Sequence, residues 1–278
     1  MPNRDNSIHQ DSIAEFRKKI WDFYHAHGRS FAWRNSDNPY YVFISEVMLQ
    51  QTQTHRVEYK FEEFIEAFPD FSMLASAPLR EVLGVWQGLG YNRRGKFVHQ
   101  AAQMIMREFE GALPEDPAQL VRLPGIGPAT AASIAAFAYN SPTIFIETNI
   151  RSVFIHHFFN TAKKDISDKD VLALVECTVD HDNPREWYYA LMDYGVYLKK
   201  RGPNPSRRSK HHVVQSKFEG SDRQIRGKII KMLVERQQVQ QERLILHIAD
   251  EQERTARIID DLVQEGLVCK RNNMIAIK

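Results

Sequence analysis

The stretch that most constrains this chain is Leu123-Pro124-Gly125-Ile126-Gly127-Pro128-Ala129-Thr130. It runs on through Ala131, Ala132, Ile134, Ala135 and Ala136 toward Glu147-Thr148-Asn149-Ile150-Arg151. Two glycines two residues apart behind a proline demand a tight turn that no bulky side chain could occupy. Upstream, Asp116 is placed to cap a short helix that starts at Pro117 and ends by Leu123. Downstream, the alanines favour helix strongly. The pattern is helix, Gly-x-Gly hairpin, helix, and the second helix opens with free N–H groups aimed out of the turn. Such an N-terminus is an anion site, and a nucleic-acid phosphate fits it. Hairpins of this kind serve enzymes and non-enzymatic DNA-binding proteins alike, so catalysis has to be read elsewhere in the chain.

The 278 residues suffice for one large domain or two smaller ones, each with a real core. A net charge of +2 permits nucleic-acid binding without arguing for it, which leaves that point to the distribution of charge. The two cysteines, Cys177 and Cys269, can build neither a disulfide framework nor a four-thiolate metal site. The start, Met1 to Ser7, lacks the apolar core of a signal peptide, and no run approaches the length of a membrane span. The expectation is a soluble intracellular monomer with no membrane partner, cytoplasmic and nucleoid-associated if the source is prokaryotic.

Apolar residues recur at helical spacing over 9–27, with Ile13, Phe16, Ile20, Trp21 and Tyr24 on one face. A second helix begins near Tyr41. Further helices are predicted at 54–67, 71–76, 79–86, 92–110, 117–122, 128–139, 148–159, 168–179 and 184–198. Strand signals are nearly absent over the first two hundred residues, so residues 1–198 read as an all-α domain of about ten helices with short loops. Residues 199–220 break the periodicity: Lys199 to His212 holds six Lys/Arg and two prolines. That composition fits a solvated linker or a basic strap against a phosphate backbone. From 221 to 278, helices at 222–236, 241–249 and 253–265 precede an alternating segment around Asn272-Asn273, a hairpin signal. Three helices and a terminal hairpin read as a winged-helix-like domain that serves DNA or protein docking, with Arg254 and Arg257 on its third helix as candidates for a groove.

The string Ser45-Glu46-Val47-Met48-Leu49-Gln50-Gln51-Thr52-Gln53 places an acid inside an apolar helix. Desolvation there raises a carboxyl pKa, as a general acid needs at neutral pH, although a glutamate taken alone is more often a solvated surface residue. Trp33-Arg34, Pro39-Tyr40, Ser45 to Gln53, Phe68-Pro69, Trp86-Gln87-Gly88-Leu89-Gly90-Tyr91 and Leu123 to Thr130 run in one order from about residue 10 to 198. In order and spacing this resembles the adenine DNA glycosylases of the MutY family.

The resemblance implies a two-lobed helix-hairpin-helix DNA glycosylase fold and a monofunctional excision of a flipped base from double-stranded DNA. It makes Glu46 the acid that protonates the adenine ring, and Gln51 and Tyr91 the residues that enter the duplex beside the flipped base. Trp33, Arg34 and Ala129 fall at the substrate pocket, while Gly125, Ile126, Gly127 and Thr130 carry the phosphate-gripping turn, with a monovalent cation expected there only on the family's pattern. Three positions depart from that pattern. The family's active-site aspartate falls at Glu147, with Asn149 two residues on. Ala129 stands where strand-cutting relatives carry a nucleophilic lysine, so no lyase activity is expected. The longer carboxylate needs room, which the small Ala129 is expected to give. The first of four iron–sulfur cysteines falls at Lys199, so no cluster and no metal is expected, and Lys199, Lys200, Arg207 and Arg208 are candidates to take over its DNA contacts. The Nudix-like domain that reads 8-oxoguanine in the family has no counterpart. Uracil or thymine opposite guanine, a modified pyrimidine, or a catalytically silent DNA-binding role therefore stay open beside adenine.

Overall fold

The computed structural model describes residues 10–160, 164–214, 216–248 and 252–278. The stretch 1–9, read above for a signal peptide and for the start of the first helix, lies outside the described residues, as does the last residue of the helix predicted to end at 249. In chain order the helices are α1 (Gln10–His27), α2 (Pro39–Leu49), α3 (Thr54–Ala67), α4 (Phe71–Ser76), α5 (Leu79–Val85), α6 (Asn92–Glu108) and α7 (Pro117–Leu120). After the hairpin follow α8 (Pro128–Tyr139), α9 (Thr148–Phe158), α10 (Asp168–Thr178), α11 (Pro184–Arg201), α12 (Asp222–Arg236), α13 (Gln241–Ile248) and α14 (Gln252–Gln264). Three short strands, β1 (Gln238–Gln240), β2 (Val268–Arg271) and β3 (Met274–Ile277), complete the described structure. No helix among the described residues is long and apolar enough to cross a membrane.

The chain divides into two compact units. One joins the chain up to Phe31 to Pro128–Val214; the other joins Ala32–Gly127 to Gln215–Lys278.

In the first unit α11 is the central element, packed against α1, α8 and α9. Its Trp187 and Tyr188 are fully buried with Phe137 and Phe154, and the Phe137 and Tyr189 rings stack 4.5 Å apart. Gly195 lets α11 close on α9: a Cβ there would lie 2.5 Å from the Asn149 carbonyl oxygen. Ion pairs fix the periphery. The buried Asp193 carboxylate binds the Arg29 guanidinium at 2.7 Å, and Arg151 grips Asp168 through two 2.8 Å bonds that hold this carboxyl below its usual range.

The basic segment departs from a bare linker. Lys199, Lys200 and Arg201 form the last turn of α11, where cations favour the helix dipole. Residues 205–208 then make a 3-10 turn against α9, capped by the Asn204 side chain, which also accepts from Ser152 Oγ at 3.2 Å. Ile166 and Ser209 pair as a short parallel bridge.

In the second unit Phe43, Phe61, Phe64, Leu74 and Trp86 form the core of α2 to α6. Asn38 caps α2 through Tyr40 N–H with Pro39 at its first position, and Asp70 caps α4. Gly95 brings α6 onto Trp86, since a Cβ would meet the indole at 2.9 Å. The C-terminal segment shares one core with this body: Leu83 of α5 is buried among Ile229, Ile230, Leu233, Leu262 and Ile275. Its sheet has the order β1-β3-β2, all antiparallel, with Val239 opposite Ile275 and Cys269 opposite Ala276. Asn272 and Asn273 both take left-handed backbone, as the two-residue hairpin requires.

Burial in the first unit generates a pH dependence. His157 stacks on Tyr194 at 5.6 Å and meets the Phe16 ring at 5.2 Å; desolvation, with Lys19 and His156 nearby, pushes its pKa down to about 4. The unfolded chain takes up this proton near pH 6.5 and the folded chain refuses it until about pH 4. Stability from this group is therefore complete above pH 6.5 and lost as pH falls toward 4. Burial shifts His99 and His156 in the same direction. The expected result is that His157→Phe flattens, without abolishing, the fall in urea midpoint between pH 6.5 and 4.

Candidate active site

The second unit brings together two stretches singled out in the sequence, Ser45 to Gln53 and Trp86 to Tyr91, and the agent is a residue that sequence reasoning passed over. Arg94 lies on the buried face of α6 with Gly95, Val98, Ala101 and Ile105. Its Nη1 donates to the carbonyls of Val47 (2.9 Å) and Met48 (2.8 Å) at the end of α2. Its Nη2 donates to Thr52 Oγ1 (2.8 Å) and to the carbonyls of Leu89 (3.2 Å) and Gly90 (3.4 Å). One planar fork thus ties the loop after α2 to the loop before α6. Burial depresses this guanidinium to about 10, and it stays cationic at neutral pH. A charged residue at helical spacing among apolar ones was the available signal.

Both loops present their candidate residues in strained backbone. Gln51 has φ 55° and Tyr91 φ 49°, left-handed values rare for such side chains. Gly88 and Gly90, at φ 93° and 73°, make the turn that delivers Tyr91. Gln51 is exposed and Tyr91 half-buried. The same left-handed backbone occurs at turn residues such as Asn272 and Asn273; here it falls at the two candidate residues.

Glu46 stands on α2 one turn before this loop, half-buried between the buried Ser45 and Val47. The hairpin follows in the same unit: Gly125 has φ 79°, and a Cβ there would lie 2.9 Å from Phe97. Gln50 Nε2 donates to the Gly125 carbonyl at 3.4 Å, which links the α2 loop to the turn. Ile126 is buried, Gly127 is open on its Cβ side, and the turn closes through Ile126 N–H to Leu123 C=O at 3.1 Å. Trp33 is a core residue set edge-on to Phe61 at 5.3 Å, and Arg34 beside it is half-buried.

In the first unit Glu147 is the N-cap of α9. Its Oε1 accepts from Asn149 N–H (2.7 Å) and Ile150 N–H (2.8 Å), and its Oε2 accepts from Asn149 Nδ2 (3.0 Å). The extra methylene over aspartate therefore folds the carboxylate back onto its own helix. Ala129, the small residue expected to give the longer arm room, is exposed. Thr130 is half-buried in the first turn of α8.

Lys199 is partly buried, and its pKa is lowered by desolvation against the opposing field of Glu147. Lys200 and Arg207 are exposed. Arg208 is spent on the fold, donating to the carbonyls of Phe159 (3.2 Å) and Asn160. Arg254 and Arg257 on α14 both pair with Asp222, at 2.6 and 3.0 Å, so one carboxylate offsets part of the charge they would offer a groove.

The iron–sulfur cluster implied by the resemblance needs four thiolates, and the chain has two cysteines, one in each unit. Lys199 cannot replace a thiolate, so these residues do not fit that group. Among the described residues no cluster of three or more His, Cys, Asp or Glu side chains could hold a metal ion.

Helices joined by a Gly-x-Gly hairpin are the frame of the helix-hairpin-helix DNA glycosylases, and comparison with known proteins assigns the chain to that class. Residues 44–177 match the HhH-GPD superfamily of base excision DNA repair proteins. The adenine DNA glycosylase of Mycolicibacterium smegmatis is 32% identical over 265 residues, covering 86% of this chain and 88% of that protein. That share is larger than residues 1–198 alone can supply. The adenine DNA glycosylase of Mycobacterium tuberculosis is 30% identical over 239 residues, 76% of each chain. The adenine DNA glycosylase of Buchnera aphidicola subsp. Baizongia pistaciae is 32% identical over 184 residues, and the match spans about half, 52%, of its length. Among solved structures, a thermostable thymine-DNA glycosylase superposes with a TM-score of 0.61 at 22% identity, covering 72% of this chain and 91% of that one. An endonuclease III–DNA complex gives a TM-score of 0.60 at 18% identity, covering 70% and 90%. Both share the fold. This chain belongs to the HhH-GPD superfamily of base excision DNA repair proteins.

The geometry of Arg94 makes a direct prediction. Arg94→Lys keeps a charge but cannot span both loops. The expected outcome is a loss of at least about 2 kcal/mol in urea unfolding, the scale of leaving buried carbonyls unpaired. A loss under about 0.5 kcal/mol would show that the loops hold themselves.

Proposed function

We propose that this protein is a monofunctional DNA glycosylase that flips adenine out of a mismatch with guanine or 8-oxoguanine and hydrolyses its N-glycosidic bond. The observation that carries this reading is the pair of left-handed residues, Gln51 and Tyr91, tied through one guanidinium to the helix that bears Glu46. Flipping a nucleotide leaves a hole in the base stack, and a planar amide and an aromatic ring can fill it. Glu46 then donates a proton to the adenine ring, which makes the base a leaving group. The C–N bond breaks with its electron pair going to the base, and positive charge develops on the sugar. The Glu147 carboxylate stabilises that charge, with Asn149 fixing one of its oxygens. Water adds to the sugar carbon and loses a proton, which leaves free adenine and an abasic site. The N–H groups of Gly127 and the first turn of α8 bind a backbone phosphate of double-stranded DNA. Of the basic residues, the exposed Lys200 and Arg207 contribute further phosphate contacts. Trp33 acts from the core as support for the pocket. Ala129 offers no amine, so no Schiff base forms there.

The preference for adenine draws on the curated relatives at 30–32% identity, which are adenine DNA glycosylases. The mechanism is tested by single-turnover excision from a duplex with adenine opposite 8-oxoguanine. Glu46→Gln should slow excision about 10²–10⁴-fold, the usual contribution of a general acid, with duplex binding retained. Glu147→Gln should also lose excision, while its amide oxygen still caps α9 and leaves the melting temperature nearly unchanged. Excision by either variant within about threefold of wild type would remove that residue from the mechanism.

A further inference from the structure

The C-terminal segment reaches the candidate wedge directly. Arg223, in the first turn of α12, donates from Nη1 to the Tyr91 hydroxyl at 3.0 Å, and its guanidinium lies 5.4 Å from the Tyr91 ring centroid. The same guanidinium donates from Nη2 to the Ser216 carbonyl (2.6 Å), to Ser216 Oγ (3.1 Å) and to the Lys217 carbonyl (3.4 Å). Arg94 lies 5.4 Å from the same ring. Tyr91 is thus bracketed by two cations, one from its own helix and one from a segment more than 130 residues away in sequence.

We infer that Arg223 is a positioning residue for Tyr91, and that through it the C-terminal segment presets the ring for entry into the duplex. The inference rests on the reading of Tyr91 as a wedge. Tyr91 begins α6 from left-handed backbone, without a side-chain cap hydrogen bond, and Arg94 is its neighbour within the same helix. A ring that must enter a base stack loses rotamer freedom on binding, and one already held loses less. Arg223 supplies that hold through a hydrogen bond and a cation–π contact on one side chain. Its second anchor on Ser216 and Lys217 keeps the guanidinium itself in place. The C-terminal segment then acts on base flipping through Arg223, whatever contacts α14 makes.

The test uses the full chain and a duplex with 2-aminopurine at the target position, whose fluorescence rises on unstacking. Arg223→Ala should lower the unstacking equilibrium roughly two- to tenfold, the scale of one side chain left to be immobilised, with little change in affinity for undamaged duplex. Tyr91→Phe, which removes the hydroxyl alone, should cost part of the same loss. Adding Arg223→Ala to Tyr91→Phe should then cost less than it does in wild type. Equal costs in both backgrounds, or wild-type unstacking by Arg223→Ala, would overturn the inference. If Arg223→Ala does not fold, Tyr91→Phe decides alone, and wild-type unstacking by it overturns the inference. Because unstacking is read without base removal, a wild type that unstacks the probe but excises nothing sinks the proposed activity and leaves this role to be judged by the cycle. A wild type that leaves the probe stacked overturns this role.

Discussion

A single buried guanidinium, that of Arg94, is the constraint on which the candidate site depends. Placing a cation among apolar side chains is costly unless its donors are met. Here Nη1 and Nη2 meet four carbonyls and one hydroxyl at the end of α2 and on the two loops, while the buried Nε has no partner among the described residues. The exchange works in both directions. The loops supply acceptors that satisfy the charge, and the charge holds Gln51 and Tyr91 in backbone that neither residue would choose freely. Left-handed backbone at a non-glycine residue stores roughly 1–3 kcal/mol, which persists only where neighbouring bonds over-determine it. Arg223 adds a second hold on Tyr91 from the C-terminal segment.

Glu147 shows a different solution in the first unit. An aspartate would cap α9 with the shorter side chain that helix N-termini favour. Glutamate reaches the same N–H groups by folding back, and Asn149 Nδ2 occupies its second oxygen. The carboxylate gains a fixed direction and a place at the positive end of a helix, where negative charge is stabilised. The direction of the carboxylate is thus set within α9 itself.

The helices and the hairpin were legible in the sequence because each rests on local chemistry. Asp116 with Pro117 and Asn38 with Pro39 cap their helices as read, Gly125 takes the left-handed turn, and Asn272-Asn273 closes the terminal hairpin. What escaped depends on long-range partners. Strand β1 is three residues, Gln238-Val239-Gln240, too short to alternate visibly, and exists because β3 pairs with it. The segment after α11 reads as a linker from its prolines and charges, yet Asn204 and Ile166 fold its start against α9. Arg94 reads as one more basic residue beside Arg93; its role lies in the Val47 and Met48 carbonyls, 47 and 46 positions upstream, and the Thr52 hydroxyl, 42 upstream. Arg254 and Arg257 read as groove residues because Asp222, some thirty positions earlier, could not be foreseen as their partner.

The proposed activity is removal of adenine from a mismatch, with Glu46 as its acid. The most direct measurement is a panel of duplexes under single-turnover conditions. Each carries one target: adenine opposite guanine or 8-oxoguanine, uracil or thymine opposite guanine, or a modified pyrimidine. Every sample is split and resolved with and without alkali. The expected result is release of adenine from its mismatches, with strand breaks only after alkali. Excision confined to uracil, thymine or the modified pyrimidine, or breaks without alkali, would contradict it.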